Sequence, residues 1–196
     1  MFEWVPLGTV VQAQIQILPL KTGEKPWRIY HPEFIAPIDR FTVEAPGITA
    51  VVDGQTMLDV HHRDHPQSRH RPGRALSFGF TSHYDLIADH FGPIESGCGA
   101  ENLIIETDEV ISLEVGNAGF AIDCRDGTIE FTPSRPAQPC APFTRYLLGT
   151  PDASVDDVAE DRATLRDGVR GFVVSTDHLT SPISLGVGDV VYRRAT

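Results

Sequence analysis

In residues 9–18, TVVQAQIQIL, the apolar Val11, Ala13, Ile15 and Ile17 alternate with Gln12, Gln14 and Gln16. A period of two predicts a β-strand with one apolar and one wet face. Shorter runs rich in β-branched and aromatic residues repeat the signal at ITAVVD (48–53), ALSFGF (75–80), NLIIET (102–107), ISLEV (111–115), TIEFT (128–132), GFVVS (171–175) and DVVYRR (189–194), with Gly, Pro and Asp in the gaps. Many short strands with irregular spacers predict a barrel or a sandwich.

Two stretches carry helical spacing instead. In SHYDLIADHFG (82–92), Ser82 and Asp85 stand as a capping pair, Tyr84, Ile87 and Phe91 share one face, and Gly92 supplies the stop. SVDDVAEDRATLRDG (154–168) repeats the arrangement with Ser154 and Asp157, the stripe Val155, Val158 and Leu165, and a closing Gly168. Its acidic outer face reads as a solvated surface. Residues 19–47, rich in proline and carrying Trp27, read as a long irregular excursion. With no internal repeat or low-complexity tract, the expectation is one mainly β, α+β domain over 1–196, a β-barrel with two or three short helices.

The chain has 196 residues, 41% of them hydrophobic, enough for a core of its own. Lys and Arg number 16 against 27 Asp and Glu, a net charge of −11, so the molecule as a whole repels nucleic acid and anionic membrane surfaces. Any anion it binds needs a local basic site. Cys98, Cys124 and Cys140 are an odd, widely spaced set without a CxxC motif, which suits a reducing compartment rather than a disulfide framework. The N-terminus lacks a basic region followed by an apolar run, and no stretch approaches the roughly 18–20 apolar residues of a membrane span. A cytoplasmic protein is expected.

Three stretches carry candidate chemistry. VHHRDHPQSRHRPGR (60–74) gathers Arg63, Arg69, Arg71 and Arg74 with four histidines against one acid, Asp64. Planar guanidinium forks fit phosphate or carboxylate, so the stretch reads either as an anion site or as a solvated loop. His61 and His65, four apart, also raise a metal site, although Pro66 and Pro72 oppose a continuous helix there. GCGAEN (97–102) reads either as a glycine-rich turn offering Glu101 and Asn102 to a ligand or as a tight turn around a buried Cys98. In SRPAQPCAPFTR (134–145), Arg135 and Arg145 flank Cys140, while Pro136, Pro139 and Pro142 predict a stiff, non-helical loop. No neighbouring histidine or carboxylate completes a nucleophile–base pair, so a reactive thiol and a small buried filler both remain open.

Taken in order, LDVHHR (58–63), GAENLIIET (99–107), SRPAQPC (134–140), GVRGFVV (168–174) and ISLGVGDVV (183–191) resemble the MOSC domain family, named for the C-terminal domain of molybdenum cofactor sulfurases. The resemblance runs from about residue 48 to the end. It implies a stand-alone, bacterial-type member with a pyruvate-kinase-type β-barrel, and molybdenum-cofactor binding or sulfur handling. Cys140 is then the signature thiol, a molybdenum ligand in relatives that hold the cofactor and a persulfide carrier in sulfurase-type proposals. The implied cofactor-binding set is Arg63, Arg69, Arg71 and Arg74 for the pterin phosphate, with Glu101, Asn102, Arg135 and Arg170. Pyridoxal phosphate binding is a further family-level association.

The sequence departs from the family pattern at three places. His62 and Arg63 stand where a Gly-Gly pair is usual, Ala100 replaces the glycine of Gly-Glu-Asn, and Pro-Ala-Gln-Pro separates Arg135 from Cys140. The implied activity is oxygen-atom or sulfur transfer, such as reduction of N-hydroxylated compounds, with electrons or sulfur from a separate donor protein because no cysteine-rich cluster motif is present. The departures motivate an alternative, a non-catalytic module that binds a small anion or carries the cofactor.

Overall fold

The computed structural model describes residues 3–195. Strand β1 (Trp4–Gln16) is followed by a small hairpin, β2 (Lys21–Thr22) and β3 (Ile29–Tyr30), a 3-10 turn at Pro32–Phe34, and then β4 (Ile35–Ile38), β5 (Arg40–Glu44), β6 (Gly47–Val52) and β7 (Gln55–Leu58). β8 (Leu76–Phe80) enters α1 (Thr81–Phe91), and β9 (Leu103–Glu106) precedes α2 (Leu113–Asn117). β10 (Phe120–Cys124), β11 (Gly127–Phe131) and β12 (Ser134–Pro136) lead to α3 (Ala141–Leu148) and α4 (Ala159–Thr164), and β13 (Phe172–Val174), β14 (Ile183–Gly186) and β15 (Val190–Arg194) complete the chain.

The main sheet runs β11-β10-β15-β1-β9-β8-β13-β12, with β4 also on β1, and curls into a nearly closed barrel. A second sheet runs β14-β5-β6-β7. In the main sheet β8 and β9 pair in parallel, which requires a crossover, and α1 supplies it. The return from α1 to β9 is the 97–102 loop, so the crossover places that loop at one end of the barrel. Phe78, Phe80, Phe120, Phe131 and Phe172 fill the interior at 0% exposure, with Phe78 and Phe120 ring centres 5.0 Å apart. Each such ring contributes about 1.5–3 kcal/mol by leaving water.

The β-rich α+β barrel expected from the sequence is the fold observed, with four α-helices among the described residues. Several local expectations are corrected. ISLEV is not a strand: Ser112 Oγ accepts from Val115 N–H and caps α2. Ser82 caps nothing, since its hydroxyl donates to the Glu109 carbonyl. Ser154 and Asp157 do exchange the two bonds of a capping box, but the helix behind them begins only at Ala159. The 19–47 excursion contains β2 to β5 rather than continuous irregular chain.

The clearest strand also departs from simple alternation. The register between β1 and β9 shifts between Val10 and Gln12, so a bulge leaves Val11 42% exposed while Val10, Ala13 and Ile15 turn inward. Gln14, expected on a wet face, is buried. The glutamine face is covered by the 97–102 loop.

Candidate functional site

Each glutamine of β1 holds that loop by its amide. Gln12 Nε2 donates to the Ser96 carbonyl at 3.4 Å, Gln14 Nε2 to Gly97 at 2.7 Å and Gln16 Nε2 to Ala100 at 3.1 Å. From the other side Tyr30 donates to the Cys98 carbonyl at 2.8 Å, while the Tyr84 hydroxyl accepts from Gly99 N–H and donates to Glu101 Oε2 at 2.6 Å. Burial pushes both phenol pKa values up, keeping them neutral donors. Arg170 pairs with Glu101, donates to the Gly99 carbonyl and lies 4.2 Å over the Phe143 ring. Cys98 is buried, which pushes its thiol up to about 11, so it fills space in this turn.

A second group forms around Asp59, which is 0% exposed. Its Oδ1 accepts from His61 N–H at 2.8 Å and lies 3.0 Å from His61 Nδ1, while Oδ2 accepts from Gln16 N–H at 2.8 Å and Asn102 Nδ2 at 3.2 Å. Burial alone raises a carboxyl pKa, but the bonds from His61 and Gln16 outweigh it and hold Asp59 below the usual range. An ionised carboxylate only accepts, so the His61 Nδ1 facing it is the donor, and the residue lines the cavity. Asn102 is spent internally: its Oδ1 accepts from Ser77 N–H and Oγ, and its Nδ2 also reaches the Gln14 carbonyl.

Cys140 ends the non-helical stretch 137–140 as expected, but a helix the prolines did not predict begins directly after it. Cys140 is the N-cap of α3, with Pro142 in the first turn, where a helix needs no N–H from it. Its half-buried sulfur accepts from Lys21 Nζ at 3.7 Å, and the first helical bond runs from Thr144 N–H to the Cys140 carbonyl. Arg145, expected beside the thiol, is buried with Nη1 on the Pro26 carbonyl and its guanidinium 5.5 Å from the Trp27 ring centre.

These pieces meet in one cavity of about 480 Å³. It brings together Cys140, Arg69, Arg71, Arg74, Glu101, Asn102 and Arg170 of the expected set, drawn from distant parts of the chain onto one mouth. Two expected residues are outside it. Arg63 pairs with Asp177 at the surface, and Arg135 is exposed on β12 and does not line the cavity, although it is paired with Val173, which does. Sequence reasoning missed Lys21, Arg28 and His61 as cavity residues. The first two arrive on the hairpin of the supposed irregular excursion, and only the histidine had a readable signal, its place in the basic stretch.

A metal centre on His61 and His65 does not fit. His65 Nε2 lies 3.2 Å from the Ile17 carbonyl and Nδ1 accepts from Gln67 N–H at 3.0 Å, so neither ring nitrogen offers a free lone pair. Among the described residues no cluster of three or more His, Cys, Asp or Glu is arranged for a metal ion. A metal carried by an organic cofactor asks less of the protein, a single soft donor, and the Cys140 sulfur beside five or more cations matches that demand.

No family model matches the chain, and no curated protein matches it. Among solved structures it is similar to the YUAD protein from Bacillus subtilis, with a TM-score of 0.60 and 12% identity over 100% of both chains. It is also similar to a hypothetical protein, with a TM-score of 0.52 and 13% identity over 100% of this chain and 70% of that one. At such identities the likeness shows the shared fold alone. No helix among the described residues is long and apolar enough to cross a membrane.

Proposed function

We propose that this protein is a MOSC-type binding protein for a phosphate-bearing organic cofactor of the molybdenum–pterin kind. One observation carries the reading. In a chain with 27 acids and 16 bases, Arg28, Arg69, Arg71 and Arg74 surround one cavity and, among the described residues, none has a carboxylate partner. Arg170 in the same cavity is paired with Glu101, and Arg40, Arg63 and Arg193 outside it each have an acidic partner. Self-repelling guanidinium groups gathered without counter-charge are a site prepared for an anion.

Arg69, Arg71 and Arg74 hold the phosphate in this reading, and Cys140 gives its sulfur to the soft end of the ligand. Arg170, fixed by Glu101 and Phe143, keeps the 97–102 loop in place between them. A bound molybdenum centre would supply oxygen-atom transfer; reduction of an N-oxide or N-hydroxy compound takes two electrons and two protons and releases water, the electrons coming from a separate donor protein. His61 and His70 line the same cavity, and the Asp59 carboxylate on His61 Nδ1 and the His61 carbonyl 3.1 Å from His70 Nδ1 orient the two rings.

Molybdenum and pterin analysis of protein from a cofactor-competent host tests the reading. Wild type retains both, Cys140→Ala loses metal, and an Arg71→Ala/Arg74→Ala variant loses both; wild type free of both overturns it. A carrier role without turnover is the second reading, favoured by the rim: Lys21, Arg69, Arg71 and Arg74 are all exposed, an open mouth from which a ligand can be handed on. Cofactor retention without reduction of any N-oxide or N-hydroxy compound, with an electron donor supplied, selects the carrier.

A further inference from the structure

A second cleft of about 400 Å³ opens beside the first, and the two share Pro19, Lys21, Arg28 and Arg69. Three of the four shared residues are cations, so the partition between the clefts is itself positive. Arg28 Nε on that partition is buried without an acceptor in the protein. Beyond it the lining changes character. Leu18 and Phe34 offer apolar surface, Thr22 and Gln67 offer hydrogen bonds, and no acid is present. The Phe34 ring is already stacked on His31, with centres 5.2 Å apart and planes at 23°, which fixes a flat wall at the cleft.

A terminal phosphate ends a molecule, so a monophosphate seated on Arg71 and Arg74 has nothing to place across the partition. A diphosphate continues through it. We infer that the ligand is an organic diphosphate ester: one organic half lies in the first cavity beside Cys140, the two phosphates lie along Lys21, Arg28 and Arg69, and a second planar group, of the nucleoside type, lies in the second cleft against Phe34. This rests on the reading of the first cavity as an anion site and specifies the class of ligand it takes.

Calorimetric titration of the full chain with inorganic phosphate, pyrophosphate and adenosine diphosphate tests it. Adenosine diphosphate binds at least tenfold tighter than phosphate and tighter than pyrophosphate. Gln67 lines only the second cleft and is exposed, so Gln67→Ala leaves the fold intact, removes a hydrogen-bonding group there without adding charge beside the shared cations, and lowers that advantage while phosphate affinity holds. Phe34→Leu acts in the same direction. Phosphate bound with no gain for adenosine diphosphate, or a gain indifferent to both Gln67→Ala and Phe34→Leu, overturns the second-cleft assignment and leaves the anion site standing. Failure of all three probes to bind overturns both.

Discussion

Lys21 Nζ reaches Cys140 Sγ at 3.7 Å, joining a surface hairpin to the cap of α3 across 119 positions of sequence. The hairpin pairs only with itself, β2 on β3, so this contact and the aromatic pairing of Tyr30 with Phe143 at 5.1 Å tie it to the rest of the site. The thiol and the cationic rim therefore open on the same space.

Occupancy of that space shields the sulfur. Saturating phosphate or pyrophosphate slows alkylation of Cys140 by roughly an order of magnitude, because reagent reaches only the ligand-free fraction. Mass spectrometry of the Cys140 peptide reads the rate. The Arg71→Ala/Arg74→Ala variant loses the protection; protection that survives it shows that thiol and arginines do not share a ligand.

Asp59→Asn removes a buried carboxylate that gathers β1, His61 and Asn102. An amide cannot accept at both oxygens, so stability falls by about 3 kcal/mol, read as a lowered urea midpoint with unchanged slope. His61→Ala, at a half-exposed position, costs less than about 1.5 kcal/mol. Equal losses from the two variants contradict the central place given to the carboxylate.

Gly116 lies in α2, where alanine normally gains about 1 kcal/mol of helix propensity. Here a Cβ would stand 1.9 Å from Phe172 Cζ, a ring at 0% exposure in the barrel core. Overpacking wins: Gly116→Ala lowers the melting temperature by an amount equivalent to about 1–3 kcal/mol, and a second change, Phe172→Leu, recovers part of it. A melting temperature at or above that of wild type contradicts the close contact.

His83 sits at the start of α1 with Nε2 accepting from Ile111 N–H at 3.0 Å, and burial pushes its pKa down from 6.5 to about 4. The folded chain keeps the ring neutral while the unfolded chain takes up a proton, so its contribution is complete above pH 6.5 and is lost as pH falls toward 4. The loss is on the order of 3 kcal/mol. His62, buried and also lowered, adds to the same slope, whereas Asp59 loses its contribution only at lower pH, below the usual carboxylate range. Urea midpoints at pH 7 and 4.5 converge in His83→Gln relative to wild type; an unchanged difference removes His83 from the account.

The strands legible in the sequence are those with one face in the barrel core along their length, such as ALSFGF, NLIIET and DVVYRR, because burial imposes the pattern on them directly. ISLEV misleads because its apolar residues suit a strand while the Ser112 hydroxyl, a local cap, decides for a helix. SRPAQPC is non-helical as its prolines suggest, but Pro142 in the next residues misleads, since proline excludes a helix interior but not a helix start. At the site, Arg69, Arg71, Arg74, Cys140 and Arg170 were identifiable from residue type. Arg63 and Arg135 belong to the same types and were indistinguishable from them, because sequence shows a charge but not whether Asp177 answers it or whether the side chain reaches the cavity.

By itself, then, the sequence determined a β-rich core, a net acidic chain, and a small inventory of cations and thiols from which a site could be built. Hydrophobic period and net charge are sums over residue types, and they are read without knowing where the chain goes. Tertiary structure alone decided that Lys21 and Arg28 meet Cys140, that the glutamines of β1 grip the 97–102 loop, and that a second cleft continues beyond the first. Those outcomes depend on a bulge at Val11 and a crossover through α1, which turn faces and bring distant residues together, and no local pattern encodes such a meeting.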